Sequence, residues 1–123
     1  MSEEFSRTRR VGEQIQRELA ELLQREVKDP RVAGVTVTAV EVSRDLAHAK
    51  VYVSRMTGET DWQETLAGLG RAAGFLRREL GRRLTMRSVP ELRFLRDRSI
   101  EEGARLSELI DRVVADDESN KSD

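Results

Sequence analysis

An arginine-rich segment, residues 71–98, is the part of this sequence best equipped to bind a ligand. It holds nine arginines against Glu79, Glu91 and Asp97, which gives the segment a net charge of +6. Residues 99–123 carry a net charge of −5, and the whole chain carries −1. A basic block on a small domain is typical of a surface that binds a polyanion, most often nucleic acid. The alternative is a solvated helix surface without a ligand.

The spacing of the leucines in this segment predicts which arginines face outward. Three leucines recur at intervals of four and predict one buried stripe, namely Leu76, Leu80 and Leu84. At about 100° per residue, Arg78 and Arg82 fall on the opposite face, with Arg77 to one side. Two like charges one turn apart destabilise a helix, and a bound phosphate backbone would relieve their repulsion. Arg83 lies nearer the leucine stripe, where its stem can cover apolar surface, so it is a weaker candidate.

Three glycines come before Arg77, Arg78, Arg82 and Arg83 in the same helical segment. Gly68, Gly70 and Gly74 follow one another closely, and because a helical glycine costs about 1 kcal/mol relative to alanine, we predict a kink at Gly74. Amides that open a helix after a kink carry partial positive charge, and glycine lets a sugar-phosphate chain come close. The alternative is that small residues only let two helices pack together. The candidate RNA-binding residues are Arg71, Ala72, Ala73, Gly74, Arg77, Arg78, Arg82 and Arg83.

No catalytic, metal or cofactor site is predicted from the other side chains. The chain lacks cysteine, and its single histidine, His48, falls in a strand pattern with no nucleophile beside it. Asp116, Asp117 and Glu118 lack the spacing of a calcium loop and would stay hydrated. The sequence contains no glycine-rich nucleotide-binding loop, and aromatic residues, at 4%, are too scarce for a base-stacking platform. We therefore expect a binding protein rather than an enzyme.

Periodicity predicts the elements that must position the candidate residues. An amphipathic helix covers about residues 7–28 and stops before Pro30, because the residue before a proline is pushed out of the helical region. A strand rich in β-branched residues follows at 35–43. Its apolar positions change parity between Val37 and Val40, which predicts a bulge or two buried faces.

The remaining elements are predicted by alternation and by capping signals. Residues 47–54 alternate between apolar and polar and complete a hairpin with one buried face. Thr60 and Gln63 have the spacing of a capping box that opens the second helix. Residues 91–96 form a third strand, and a final amphipathic helix begins at Ser99.

These elements predict a single two-layer α+β domain in the order α-β-β-α-kink-α-β-α, with a three-stranded sheet covered by helices. We expect residues 1–6 to be a flexible N-terminus, residues 7–115 the folded domain, and residues 116–123 a disordered acidic tail. The lack of cysteine fits a reducing cytoplasm. The sequence has no signal-peptide pattern and no apolar stretch long enough to span a membrane, so we expect a soluble, cytoplasmic protein.

Motifs spread over residues 7–114 resemble those of the ribosome-binding factor A family. The residues that carry the resemblance are Arg9-Arg10-Val11, Glu18-Leu19, the run from Leu23 to Arg31, the run from Ser43 to Val53, Ala72-Ala73-Gly74-Phe75, Val89-Pro90-Glu91-Leu92, Phe94, Asp97, Ser99 and Gly103. The resemblance implies a type II KH-like fold. In that family an Ala-x-Gly kink replaces the GXXG loop of KH domains, and Ala72-Ala73-Gly74 fits that form.

The resemblance also implies a function and a set of partners. Family members bind the immature 30S small subunit at the 16S ribosomal RNA, assist its maturation and matter most in the cold. They have no catalytic activity, and a maturation GTPase assists their release. We accordingly expect a monomeric ribosome assembly factor that needs no cofactor and stabilises one RNA conformation, which is enough to shift a folding population.

Two other functions fit the charge pattern. One is a free KH-like module for single-stranded RNA, although the missing GXXG loop counts against it. The other is a protein-interaction adaptor whose basic and acidic segments bind partners of opposite charge.

Overall fold

The computed structural model of the protein describes residues 3–55 and 61–121. These residues form three helices, a short 3-10 turn and three strands: α1 (Glu3–Arg25), the 3-10 turn (Pro30–Val32), β1 (Val35–Val42), β2 (His48–Arg55), α2 (Trp62–Arg83), β3 (Glu91–Arg96) and α3 (Ser99–Lys121). The α+β class predicted from the sequence is confirmed.

The strands form a mixed sheet in the order β1-β2-β3. β1 pairs with β2 in antiparallel fashion, and β2 pairs with β3 in parallel. The register of β1 shifts between Val37 and Ala39, so the bulge predicted from the change of parity is confirmed. The hydroxyl of Thr38, inside the bulge, donates to the carboxylate of Asp97 and, at 3.3 Å, to the carbonyl of Tyr52. The irregular strand is thereby fixed to the end of β3.

α1 and α2 pack on one face of this sheet and enclose the core. The fully buried aliphatic side chains come from both helices and the central strand: Ile15, Leu19, Leu22, Ala49, Val51, Val53, Leu69, Leu76 and Leu80. Along β2 they alternate with exposed His48 and Lys50, which confirms a hairpin with one buried face. Each large aliphatic side chain contributes about 1.5–3 kcal/mol by leaving water, and this burial holds the two layers together.

α1 begins earlier and ends earlier than predicted. It starts at Glu3, inside the segment expected to be flexible, and it ends at Arg25 rather than at residue 28. The carboxylate of Asp29 accepts from the backbone N–H of Arg31 at 2.9 Å and caps the 3-10 turn. The chain therefore leaves the helix three residues early, because Asp29 and Pro30 start a separate turn.

α2 is one uninterrupted helix, so the separate helix predicted after Gly74 is not present. A glycine costs about 1 kcal/mol in a helix, whereas Leu69 and Leu76, fully buried on either side of Gly74, each contribute more. The carboxylate of Asp61 caps the helix by accepting from the N–H of Glu64 at 3.2 Å. Thr60, the residue expected to cap it, lies outside the described residues.

α3 begins at Ser99 as predicted, but it makes no extensive contact with the other described elements. The Asp97 carboxylate accepts from the N–H of Ser99 at 2.8 Å and starts the helix. Five large apolar side chains remain 49–59% exposed, namely Leu106, Leu109, Ile110, Val113 and Val114. Among the described elements, α1 and α2 cover the sheet and α3 does not. The backbone stays helical to Lys121, through part of the segment expected to be a disordered tail.

Candidate nucleic-acid interface

The outer face of α2 has two glycines that face open space in the described part of the fold. A Cβ built on Gly70 or Gly74 would meet no described heavy atom within 4 Å. Gly68, by contrast, faces inward, where a Cβ would lie 3.0 Å from Cγ1 of Val32 and 3.2 Å from Cβ of Arg31. Close packing of α2 on the 3-10 turn therefore explains Gly68. It does not explain Gly70 or Gly74 within the described fold, and their bare backbone is open to an approaching chain.

Arg78 and Arg82 project from this outer face, opposite the buried leucines, as the sequence predicted. Arg78 is exposed and has no hydrogen-bond or ion-pair partner among the described residues. Arg82 has a side chain that is 80% exposed and lies 3.6 Å from Glu79. An exposed pair of this kind contributes at most about 1 kcal/mol, so both cations remain available to a polyanion.

Arg71, Ala72 and Ala73 lie between Gly70 and Gly74 along α2. Arg71 is exposed, and the two alanines are half-buried on the flank of α2. The hydrogen bond from the Arg31 guanidinium lowers the pKa of Asp29 to about 2, and the positive charge of Arg71 adds to this effect. Arg71 is therefore close to the 3-10 turn, at the end of the outer face nearest that turn.

Arg77 is exposed but has a structural contact. Its guanidinium donates two hydrogen bonds, of 3.0 and 3.1 Å, to the carbonyl of Val89. Val89 lies just before β3, so this contact fixes the connection between α2 and the sheet. Arg77 can add charge to the outer face, although its orientation is set by the protein itself.

Arg83 turns away from the other candidates. Its guanidinium lies 2.9 Å from the Glu18 carboxylate and 3.5 Å from that of Glu21, both on α1. The hydrogen bond that it donates to Glu18 raises the pKa of Arg83 further above its ordinary value. Arg83 therefore ties α1 to α2, and the structure does not bring it together with Arg78 and Arg82. The position of Arg83 near the leucine stripe indicated that it is a weaker binding candidate, but the sequence could not identify Glu18, which is distant in the chain, as its partner.

Two arginines that the sequence did not single out position α2. Arg55 donates to the carbonyl of Arg31 at 3.0 Å and to the hydroxyl of buried Thr65 at 3.1 Å. The Arg96 guanidinium lies 5.0 Å from the ring centre of Trp62, the first residue of α2, and 2.5 Å from Glu101. These contacts hold the start of the helix, and no local sequence signal identifies them.

The described residues hold no group of three His, Cys, Asp or Glu side chains that could bind a metal ion. His48 is exposed on β2, and its ring Nδ1 lies 3.7 Å from the Glu91 carboxylate. Within the described ranges, no helix is both long and apolar enough to cross a membrane. The exposed arginines and bare glycine positions on the outer face of α2 have the chemistry to contact a polyanion.

The chain matches the family model of ribosome-binding factor A over residues 7–110. It is 59% identical to the ribosome-binding factor A of Azoarcus sp. (strain BH72), covering all of this chain and 98% of that one. It is also 59% identical to that of Thioalkalivibrio sulfidiphilus (strain HL-EbGR7), covering all of this chain and 95% of that one.

Solved structures give the same result. The crystal structure of ribosome-binding factor A from Thermus thermophilus matches with a TM-score of 0.67 and 36% identity, over 75% of this chain and 97% of that one. Coordinates of the Thermus thermophilus factor fitted into a cryo-EM map of a 30S–RbfA complex match with a TM-score of 0.60 and 38% identity, over 71% of this chain and 91% of that one. This chain therefore belongs to the ribosome-binding factor A family.

Proposed function

We propose that this ribosome-binding factor binds the immature 30S small subunit and assists maturation of its 16S rRNA, with the outer face of α2 against the RNA. The protein is a binding factor and not an enzyme, by its family. The observation that carries the proposal is the pair Gly70 and Gly74, which face open space beside the exposed cations Arg71 and Arg78.

The geometry supports close contact with a sugar-phosphate backbone. Two bare glycines one turn apart let a phosphate approach the helix backbone without meeting a side chain. Arg71, Arg78 and Arg82 would then supply charge-assisted hydrogen bonds to phosphate oxygens. Because they read phosphates rather than base edges, specificity would come from the shape of the RNA.

The proposed role in maturation is differential binding. A factor that contacts one conformation of the precursor RNA more tightly than another shifts the population toward that conformation. The related Thermus thermophilus factor was fitted into a 30S complex, which supports the small subunit as the target. We further propose that the protein acts as a cytoplasmic monomer, that a maturation GTPase assists its release, and that its action matters most in the cold.

Gradient sedimentation tests this function. In extracts of chilled cells, the protein should sediment with precursors of the small subunit, and digestion with nuclease should release it. Protein that stays at the top of every gradient would contradict the proposal. Partners that remain bound after RNA digestion would instead favour the adaptor, and equal binding to protein-free single-stranded RNA would favour a free RNA-binding module.

A further inference from the structure

α3 has an apolar stripe that nothing in the described fold covers. Leu106, Ile110 and Val113, which share one face of the helix, are 59%, 53% and 59% exposed. Leu109 and Val114 flank them, at 51% and 49% exposed. Isolated apolar residues are common on protein surfaces, but a continuous stripe over two helical turns marks a surface that docks on another element.

The outer face of α2 is complementary to this stripe in charge and shape. Arg71, Arg78 and Arg82 are exposed on this face, and residues 99–123 carry a net charge of −5. Gly70 and Gly74 leave two positions of α2, one turn apart, without a side chain, which allows the branched side chains of a second helix to approach closely there. Opposite charge would guide α3 to this face, and apolar burial would hold it there.

The connection between the helices also fits. Arg96, at the end of β3, lies 5.0 Å from the Trp62 ring at the start of α2, and α3 begins three residues later. The two helices have nearly equal lengths, 22 and 23 residues. If α3 ran beside α2 in the same direction, Asp116, Asp117 and Glu118 would come level with the segment from Arg78 to Arg82, about 25 Å along the helix at about 1.5 Å per residue.

We propose that α3 docks along the outer face of α2 of its own chain, in a closed conformation that competes with RNA. The structure is then the open conformation, with the stripe exposed and the arginines free. The competition rests on the proposed RNA-binding function, whereas the docking does not. A second copy of the chain is a poorer occupant for this face, because a tethered helix has an effective concentration in the millimolar range.

Paramagnetic broadening in the RNA-free full chain tests the docking. The protein has no cysteine, so Ala115→Cys creates a single site for a nitroxide. Docking predicts broadened amide signals for Gly74 and Arg78 in dilute protein. Normal signals at both would overturn the proposal. Broadening that appears only between labelled and unlabelled copies would overturn it too, because a second chain would then be the occupant.

A variant in which the apolar stripe of α3 is made polar tests both the docking and the competition with RNA. Leu106→Gln, Ile110→Gln and Val113→Gln together should abolish the broadening and tighten binding to 16S rRNA by about fivefold or more, because closed protein no longer competes. The control, Ala104→Gln on the opposite face of α3, should change neither. An unchanged affinity of the triple variant for 16S rRNA would show that docked α3 does not compete with RNA. If no variant binds 16S rRNA, the proposed function fails while the broadening still decides the docking.

Discussion

Glycine and arginine occur on both faces of α2, the inner face that packs on the rest of the fold and the outer face that is exposed, but their roles on the two faces differ. A side chain at Gly68 on the inner face would meet Val32 and Arg31 of the 3-10 turn, whereas a Cβ at Gly74 on the outer face would meet no described atom within 4 Å. Arg83 is held by two glutamates of α1, whereas Arg78 has no partner among the described residues. Residue type and spacing thus do not fix a role. The role depends on whether a partner from another part of the chain reaches the residue.

The largest expected effect comes from a residue of the inner face. Leu76→Ala removes a fully buried side chain between α2 and the sheet and should lower the free energy of unfolding by about 2–5 kcal/mol. Urea denaturation measures the loss. A change below about 1 kcal/mol would mean that the inner face is not the stabilising one.

The matched glycine variants separate the two faces directly. Gly68→Val should lower the free energy of unfolding by about 1–3 kcal/mol, because the new side chain overlaps Val32 and Arg31. Gly74→Val should change it by less than about 1 kcal/mol, since valine is at least as good a helix residue as glycine. Its RNA affinity should nevertheless fall, because the side chain blocks close approach of the backbone. Equal losses of stability in both variants would contradict the comparison.

The matched arginine variants have a smaller effect, visible in salt titration of RNA binding. Arg78→Ala should reduce the slope of log affinity against log salt by about 0.7, the value for one phosphate contact on single-stranded RNA. Arg83→Ala should leave the slope unchanged and cost only a little stability, because its partners are Glu18 and Glu21. The opposite result would place Arg83, and not Arg78, at the interface.

The smallest expected effect is a change in the free energy of unfolding at low pH, caused by protonation of Asp29 at the 3-10 turn. The Arg31 guanidinium lowers the pKa of Asp29 from 3.8 to about 2. A carboxyl whose pKa is depressed by folding stabilises the fold above its unfolded pKa, and this contribution is lost as the pH falls from about 4 to about 2. Asp29→Asn should flatten the pH dependence of unfolding in this window, and an unchanged profile would contradict the assignment.

Much of the fold was predictable because it depends on local signals. Alternation along β2 and the change of parity in β1 are written in consecutive residues, and both predictions are confirmed. The positions of Arg78 and Arg82 opposite the leucines followed from helical period alone. Wherever an element is specified by its own periodicity, the sequence was sufficient.

The errors come from contacts between distant residues. The kink at Gly74, with a separate helix after it, was predicted from the local cost of glycine alone. The burial of Leu69 and Leu76, which keeps α2 continuous, was not considered. Arg83 pairs with Glu18, 65 residues away in sequence, so no local pattern could assign it to the packing of α1. The periodicity of α3 predicted an amphipathic helix correctly but could not say that its apolar stripe stays uncovered.

The close contact between α1 and β1 has a consequence for solubility. β1 is at the edge of the sheet, and an exposed edge offers unpaired backbone groups to the strands of other molecules. The amide of Gln16 donates to the carbonyl of Thr38 at 3.3 Å, and Gly12 packs so closely that a Cβ there would lie 2.8 Å from the carbonyl oxygen of Val40. α1 therefore contacts backbone carbonyls of β1 that an intruding strand would need, and a side chain at position 12 would force α1 away from them.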